Sequence, residues 1–435
     1  MGLEFMFSAI LKKKIYNLGV KIRNPSYASL FKELKKTEFS SLDELHTIQE
    51  KKLKSILHFA YNHSIFYKTK LDELGFIDWD KPFDTLRKLA IIRKADLINY
   101  NEDIHTVKSY KFKKLFFSET SGSSGEPLVF YKNEHWDSSN RASIARGMSW
   151  YGVEPWERNG YFWGYSFSFF AKLKISIFDW LLNRFRIFSY SDKSIDDFIS
   201  KAKHATYLHG YSSMIYEVAN KINDLGFELN NLKFVKGTSE KIYGHYQDAA
   251  IKAFGCKIIS EYGAAEAGII AFECPHGNMH LNEETCIVEI VDNHIVVTNL
   301  EAYSFPIIRY ALGDYVRLSD KPCSCGRSHR VIEEVLGRVG KNIYGYNDKT
   351  FPSLTLYYIF KRLALEEKLQ LNYKVEQYKK GEIIVNVDRV LTGDEQAKLF
   401  KVADSYFGGS LSVIINDGVK IHDKSKKLKD FESYV

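Results

Sequence analysis

Ala205-Thr206-Tyr207-Leu208, Leu232-Lys233-Phe234-Val235 and Lys257-Ile258-Ile259-Ser260 are three short β-prone runs, and the stretches between them, 213–225 and 243–254, carry helical spacing. Strand–helix–strand alternation predicts parallel pairing and an α/β fold, because parallel neighbours need a crossover long enough to hold a helix. Similar alternation runs from about residue 115 to 300, and residues 1–110 read as mostly helical. Ser41-Leu42-Asp43-Glu44 fits a helix-start capping box. Leu45, Ile48, Leu53, Ile56, Leu57 and Ala60 follow at the spacing of one buried helix face. Composition changes near 337, where Gly337-Arg338-Val339-Gly340-Lys341 reads as a linker. Beyond it the pattern predicts helix over 352–365, strands over 371–377 and 382–388, helix over 393–406 and strand over 410–415, ending in a lysine-rich tail. The expected division is therefore a large domain, 1–337, and a small α+β domain, 341–435.

The chain has 435 residues, 45% of them hydrophobic, enough for a large buried core in more than one domain. The net charge of +7, from 61 basic and 54 acidic residues, is dispersed, so nucleic acid is not an expected partner. A weakly basic surface suits anionic small molecules such as ATP or coenzyme A. No cleavable signal pattern and no run long enough to span a membrane occurs. The first 20 residues fit a helix that docks on the body, the expected state, or lies on a membrane. A cytoplasmic or membrane-peripheral location follows, with the five cysteines reduced. Nothing in the sequence indicates an oligomeric state.

Five segments carry candidate chemistry. Phe117-Ser118-Glu119-Thr120-Ser121-Gly122-Ser123-Ser124-Gly125-Glu126-Pro127-Leu128-Val129-Phe130 reads as strand, loop, strand. Its hydroxyls and glycines fit a polyphosphate cradle, with a plain turn as the alternative. It is not a Walker loop, since no G-x-x-x-x-G-K-[ST] occurs. Gly237-Thr238-Ser239-Glu240 and Glu261-Tyr262-Gly263-Ala264-Ala265-Glu266 each follow a strand. Pro306-Ile307-Ile308-Arg309-Tyr310-Ala311-Leu312-Gly313-Asp314 precedes a β-prone run, and Gly337-Arg338 comes last. Strand ends are where ligands bind in open α/β sheets.

In this order the five segments resemble the adenylate-forming ligase superfamily. The resemblance is nearest to the phenylacetate–coenzyme A ligase branch with the capsular polysaccharide (CapK-type) ligases, and Tyr61-Asn62-His63-Ser64-Ile65-Phe66-Tyr67 is similar to that branch too. The resemblance implies that a carboxylate attacks the α-phosphate of ATP, giving an acyl-adenylate and pyrophosphate, before a second nucleophile displaces AMP. It implies that Thr120, Ser121, Gly122, Ser123, Ser124 and Gly125 cradle phosphates and that Glu266 holds Mg²⁺. Tyr262 and Gly263 would pack on adenine, with Ser239 and Glu240 on its other side. Asp314 would accept from the ribose hydroxyls, and Arg338 would reach ribose or phosphate. Lys427 is the candidate for the adenylation lysine, with Lys424, Lys426 and Lys429 as rivals because position 426 is Lys where the family has Gly. The family's lysine just after the phosphate loop is missing: Leu128 and Val129 follow Pro127. Its acidic hinge residue is replaced by Gly340-Lys341.

Cys274 and His280, followed by Cys323-x-Cys325, have the ligand types of a structural Cys₃His zinc site. His276 is an alternative to His280, and buried reduced thiols are the alternative to a metal. Cys256 and Cys286 read as core. The aromatic run 161–170 and His209-Gly210-Tyr211 are candidates for the acyl pocket, or for ordinary core. The acceptor implied is coenzyme A or, from the capsule branch, a sugar-linked amine or hydroxyl. The rivals are a dedicated aryl- or acyl–coenzyme A ligase and a nucleotide-binding scaffold without turnover.

Overall fold

The computed structural model describes residues 2–120, 128–162, 169–187, 192–238, 240, 242–338, 342–347, 349–421 and 431–435. Helices come first: α1 (Gly2–Arg23), α2 (Tyr27–Lys36), α3 (Leu42–His63), α4 (Ile65–Asp72), α5 (Pro82–Lys88), α6 (Lys94–Asn99) and α7 (Asn101–Ile104). The Ser41 hydroxyl accepts from the Glu44 N–H while the Glu44 carboxylate accepts from the Ser41 N–H, so the capping box forms. Leu45, Leu53, Ile56, Leu57 and Ala60 are buried as the spacing requires. Ile48 is only half-buried, and Gln49 is buried in the same turn, donating to the carbonyls of Glu283 and Cys286. Full burial of each such leucine or isoleucine contributes about 1.5–3 kcal/mol.

An antiparallel hairpin, β1 (Leu115–Glu119) with β2 (Val129–Asn133), leads into α8 (Glu134–Ser149). The expected alternation follows as β3 (Asn159–Phe162), α9 (Phe169–Leu181), β4 (Arg184–Arg186), α10 (Asp192–Ala202), β5 (Tyr207–Tyr211), α11 (Ser212–Asp224), β6 (Phe234–Thr238), α12 (Gly244–Phe254) and β7 (Ile258–Ala264). β4, β3, β5, β6 and β7 pair in parallel in that spatial order. Leu208, Val235 and Ile258 stand in register and pack on α10–α12, while Tyr207, Phe234 and Ile259 face Met148 at the end of α8. Burial on both faces explains why these strands read as near-continuous apolar runs. β5 and β6 begin two residues later than the β-prone runs suggested.

After β7 the same sheet turns antiparallel, through β8 (Gly268–Glu273), β9 (Met279–Leu281), β10 (Cys286–Val291), β11 (His294–Asn299), β12 (Tyr310–Leu318) and β13 (Val331–Arg338). Gly337 and Arg338 are therefore strand residues opposite Tyr315 and Asp314, not the start of a linker. Ladder hydrogen bonds to β12 hold them there. The rest of that stretch, 339–341, lies outside the described residues.

The C-terminal part has β14 (Asn342–Tyr344), β15 (Thr350–Pro352), α13 (Leu354–Leu365), β16 (Tyr373–Lys379), β17 (Glu382–Val387), α14 (Gly393–Phe407), β18 (Ser412–Asn416) and β19 (Phe431–Ser433). A separate four-stranded sheet, β18-β17-β16-β19, carries α13 and α14 over its own core. The lysine-rich segment is not a terminal tail, since the chain rejoins this sheet at β19, parallel to β16.

Candidate active site

β7 and β12 stand apart in the sheet, with β8, β9 and β13 between them. The Tyr262 hydroxyl nevertheless donates to Asp314 Oδ2 at 2.7 Å. Such a bond requires the antiparallel half to curl back on itself, as strongly twisted sheets do. A register shift between Tyr262 and Gly263 accompanies the turn into β8. Gly263 has no substitute, because a Cβ there would lie 2.3 Å from the Gly268 carbonyl oxygen.

Glu266 sits in the tight turn between β7 and β8 and is buried. The Tyr310 hydroxyl donates to its Oε1 at 3.0 Å. Tyr310 begins β12, so this second bond ties that strand to the turn that follows β7. The turn before β12 is held by Arg309, whose φ is +55°. Its guanidinium donates to the carbonyls of Arg87 and Leu89 and pairs with Glu289. Tyr67 completes the support: its hydroxyl donates to the Pro306 carbonyl and accepts from the Ile308 N–H, both at 3.1 Å. The segment 61–67 thus positions the residues that lead to Asp314.

Thr120 closes the base of the β1–β2 loop. Its N–H donates to the Leu128 carbonyl at 3.0 Å, and its hydroxyl accepts from the Leu128 N–H at 2.9 Å. Ser121, Gly122, Ser123, Ser124 and Gly125 lie outside the described residues, as do Ser239 and Lys427. The Glu240 carboxylate accepts from the Ser213 N–H at 2.9 Å, so its side chain serves the start of α11. A Cβ at Gly237 would lie 2.5 Å from the Ser212 hydroxyl, which explains the glycine of that segment. Arg338 has its backbone opposite Asp314, and its side chain lies outside the described atoms.

Several groups here escaped the motif reading. Lys132, on β2, lies over the rings of Phe130 and Trp136. Burial lowers its pKa, opposed by the nearby carboxylates of Asp137 and Glu266. Lys132 is thus within electrostatic reach of Glu266, although the phosphate loop lacks its usual lysine. The buried pair Lys236 and Glu261 (2.5 Å) lies on neighbouring strands β6 and β7, and Glu261 directly precedes Tyr262. His209 stacks on Tyr161 and approaches the Asn159 amide oxygen at 3.2 Å. Burial first, then Lys236, Arg184 and Arg186, push its pKa well below the usual value, so the ring is neutral. No spacing rule marks Lys236, Glu261 or His209, because their partners lie on neighbouring strands that are distant in sequence.

A second cluster gathers Cys274, His280, Cys323 and Cys325, whose donor atoms all lie within 4.8 Å of one another. Cys274 and Cys323 sulfurs are 3.7 Å apart, close to the ~3.8 Å edge of a tetrahedron with ~2.3 Å Zn–S bonds. His280 Nδ1 faces the His329 carbonyl at 3.0 Å, so Nδ1 carries the proton and Nε2 turns to the thiols, 3.2 Å from Cys325. Burial pulls the His280 pKa to about 4, leaving the neutral ring that a metal needs. Burial pushes the Cys274 thiol up to about 12. At Cys325 burial is outweighed by the Arg327 hydrogen bonds, which draw the thiol down. His276 is exposed and engages Ser324, so His280 is the histidine in the cluster. Cys286 is buried; Cys256 is half-buried at the edge of the sheet core.

If Asp314 accepts from the ribose hydroxyls as the resemblance implies, Asp314→Ala is expected to weaken ATP binding about 10- to 100-fold. Titration calorimetry reads it directly, and unchanged affinity would refute the ribose role.

No protein-family model matches the chain. Over 323 residues it is 23% identical to protein CapK of Staphylococcus aureus, covering 68% of each chain. Over 340 residues it is 23% identical to phenylacetate-coenzyme A ligase of Thermus thermophilus, covering 69% of this chain and 74% of that one. Among solved structures, 2-hydroxyisobutyryl-CoA ligase in the postadenylation state, in complex with R3-HIB-AMP, matches with a TM-score of 0.69 at 14% identity, over 92% of this chain and 91% of that one. Its open conformation, in complex with 2-HIB-AMP and CoA, gives 0.60 at 15% identity, over 91% and 93%. The resemblance to adenylate-forming ligases of the phenylacetate–coenzyme A ligase branch is borne out, and so is the α/β fold class.

Proposed function

We propose that this chain activates a carboxylic acid with ATP, forming an acyl-adenylate and pyrophosphate, and then transfers the acyl group to a second nucleophile. The observation that carries the reading is the convergence of two motifs far apart in the sheet: Tyr262 bonds Asp314, and Tyr310 bonds Glu266 in the turn after β7. Asp314 holds the ribose and Tyr262 lies against the adenine. Glu266 suits Mg²⁺, an ion that prefers carboxylate and phosphate oxygens and, when bound, neutralises phosphate charge. Lys132 supplies charge on the pyrophosphate side in place of the missing loop lysine. The remaining phosphate contacts belong to residues 120–125, with Arg338 at ribose or phosphate.

Lys427 is the cation that meets charge developing on the α-phosphate. Lys427→Ala is expected to slow adenylation on the order of 100-fold with little change in ATP affinity. If Lys424→Ala or Lys426→Ala has that effect instead and Lys427→Ala is silent, the role moves to that lysine. The proposed division is 1–337 and 341–435. The separate core of the four-stranded sheet supports it, and the smaller unit swings between half-reactions.

The acceptor is coenzyme A or an amine or hydroxyl in cell-surface polysaccharide biosynthesis. The name of the Thermus relative favours the first and that of the CapK relative the second. The enzyme acts in the cytoplasm, where ATP is available. Cys274, His280, Cys323 and Cys325 hold a structural zinc, since all four positions are filled by protein. Chelator-washed protein is expected to retain about one zinc per chain, and elemental analysis finding none would remove the site.

ATP–pyrophosphate exchange with a panel of aryl, fatty, hydroxy and amino acids, with and without coenzyme A, tests the whole reading. Acid-dependent exchange establishes adenylation, and thioester formation distinguishes coenzyme A from another acceptor. ATP binding with no exchange for any acid would favour the non-catalytic scaffold.

A further inference from the structure

α1 and α9 pack against each other on one side of the molecule. α1 is fixed by its inner face: Lys12 donates to the Asn183 amide oxygen at 2.6 Å, and Arg23 pairs with Asp137 at 2.8 Å. Tyr16 is half-buried, within electrostatic reach of Arg141 and Arg184. The expected docking of this helix therefore accounts for one face only. Its other face exposes Leu11, Leu18 and Ile22, with the half-buried Ile15 between them, a helical stripe at i, i+4, i+7 and i+11. α9 repeats the pattern with exposed Leu173, Ile177 and Trp180 at i, i+4 and i+7. Trp180 is 63% exposed and Ile22 69%. Apolar stripes at helical spacing on two helices in contact are not ordinary scatter of surface hydrophobics.

The charges beside them have one sign. Lys14 and Lys21 are exposed on α1 and Lys174 on α9. Among the described side chains of the two helices the only acid is Asp179, which is buried between Arg184 and Arg186. Apolar stripes with tryptophan and a lysine border match the interface of an anionic bilayer, where lysine stems lie along the apolar surface and ammonium groups reach phosphates. No helix among the described residues is long and apolar enough to cross a membrane.

We propose that the joint face of α1 and α9 is a docking surface for an anionic phospholipid bilayer. The apolar stripes enter the interface, and Lys14, Lys21 and Lys174 pair with lipid phosphates. The surface is independent of the adenylation reading.

The test is co-sedimentation of the full chain with phosphatidylcholine vesicles, with and without phosphatidylglycerol. Binding is expected only with phosphatidylglycerol and is expected to fall as salt rises. The charge-reversed pair Lys14→Glu/Lys21→Glu and the apolar pair Ile177→Glu/Trp180→Glu are each expected to weaken it on the order of tenfold or more, with an unchanged thermal midpoint. No binding to either vesicle, equal binding to both, or binding that neither pair alters would overturn the proposal. So would a lipid-free dimer that Ile177→Glu/Trp180→Glu dissolves, since a second copy would then cover the face.

Discussion

Glu266→Gln is expected to lower acid-dependent pyrophosphate exchange by a factor on the order of 100–1000 while the chain stays folded and still binds nucleotide. Glutamine keeps a carbonyl oxygen in place of Oε1, so the Tyr310 hydroxyl retains its acceptor. Only the negative charge is removed, and with it the group proposed to hold Mg²⁺. Tyr310→Phe separates charge from placement: it keeps the carboxylate but releases it from β12. That variant is expected to need more Mg²⁺ for half-maximal exchange and to lose far less of the maximal rate. Exchange in Glu266→Gln that equals the unaltered protein at saturating Mg²⁺ would rule out a metal role and leave Glu266 as a turn residue.

The largest stability effect is expected away from this site. Arg146 and Glu284 are buried almost completely and pair at 2.5 Å. The same carboxylate oxygen accepts from Thr37 and faces His329 Nε2, while Arg146 also donates to Asn282. Burial alone would raise the Glu284 carboxyl, but Arg146 and His329 hold it well below the usual range. Glu284→Ala leaves a buried guanidinium without its counter-ion and is expected to cost about 3–5 kcal/mol in urea unfolding. The double variant Arg146→Met/Glu284→Leu removes both charges and is expected to recover much of that loss. Additive losses from the two single variants would show that the pair is not coupled. Because the folded pKa is depressed, this contribution is complete above the ordinary glutamate value of about 4.3 and fades as pH falls below it. The network also backs the cysteine–histidine cluster, since the His329 carbonyl orients His280.

Some of this was readable from local pattern. The capping box at Ser41 and Glu44 is satisfied within four residues, so tertiary context had little to add. The helix and strand order of the C-terminal part was legible for a similar reason: Thr392 and Glu395 cap α14 locally, and β16 and β17 are separated by a short turn. Boundaries were less legible. β5 and β6 start late although Thr206 and Lys233, just upstream, already bond across to Arg158 and Thr206, so the β-prone runs mark the approach to each strand as well as the strand itself. Gly337 and Arg338 looked like a linker because glycine marks a break in most contexts; pairing with β12 overrides it.

By itself the sequence determined the α/β alternation, the N-terminal helices, the compact C-terminal module and the order of the five motifs. Each of these depends on periodicity or turn chemistry over a few neighbouring residues. Only the tertiary structure decided that Tyr262 meets Asp314, that Tyr310 holds Glu266, and that Tyr67 supports the turn before β12. It alone chose His280 over His276 beside the three cysteines, and brought α1 into contact with α9. These contacts join residues tens to hundreds of positions apart. They depend on how a twisted sheet curls and how helices pack on it, which no local pattern records.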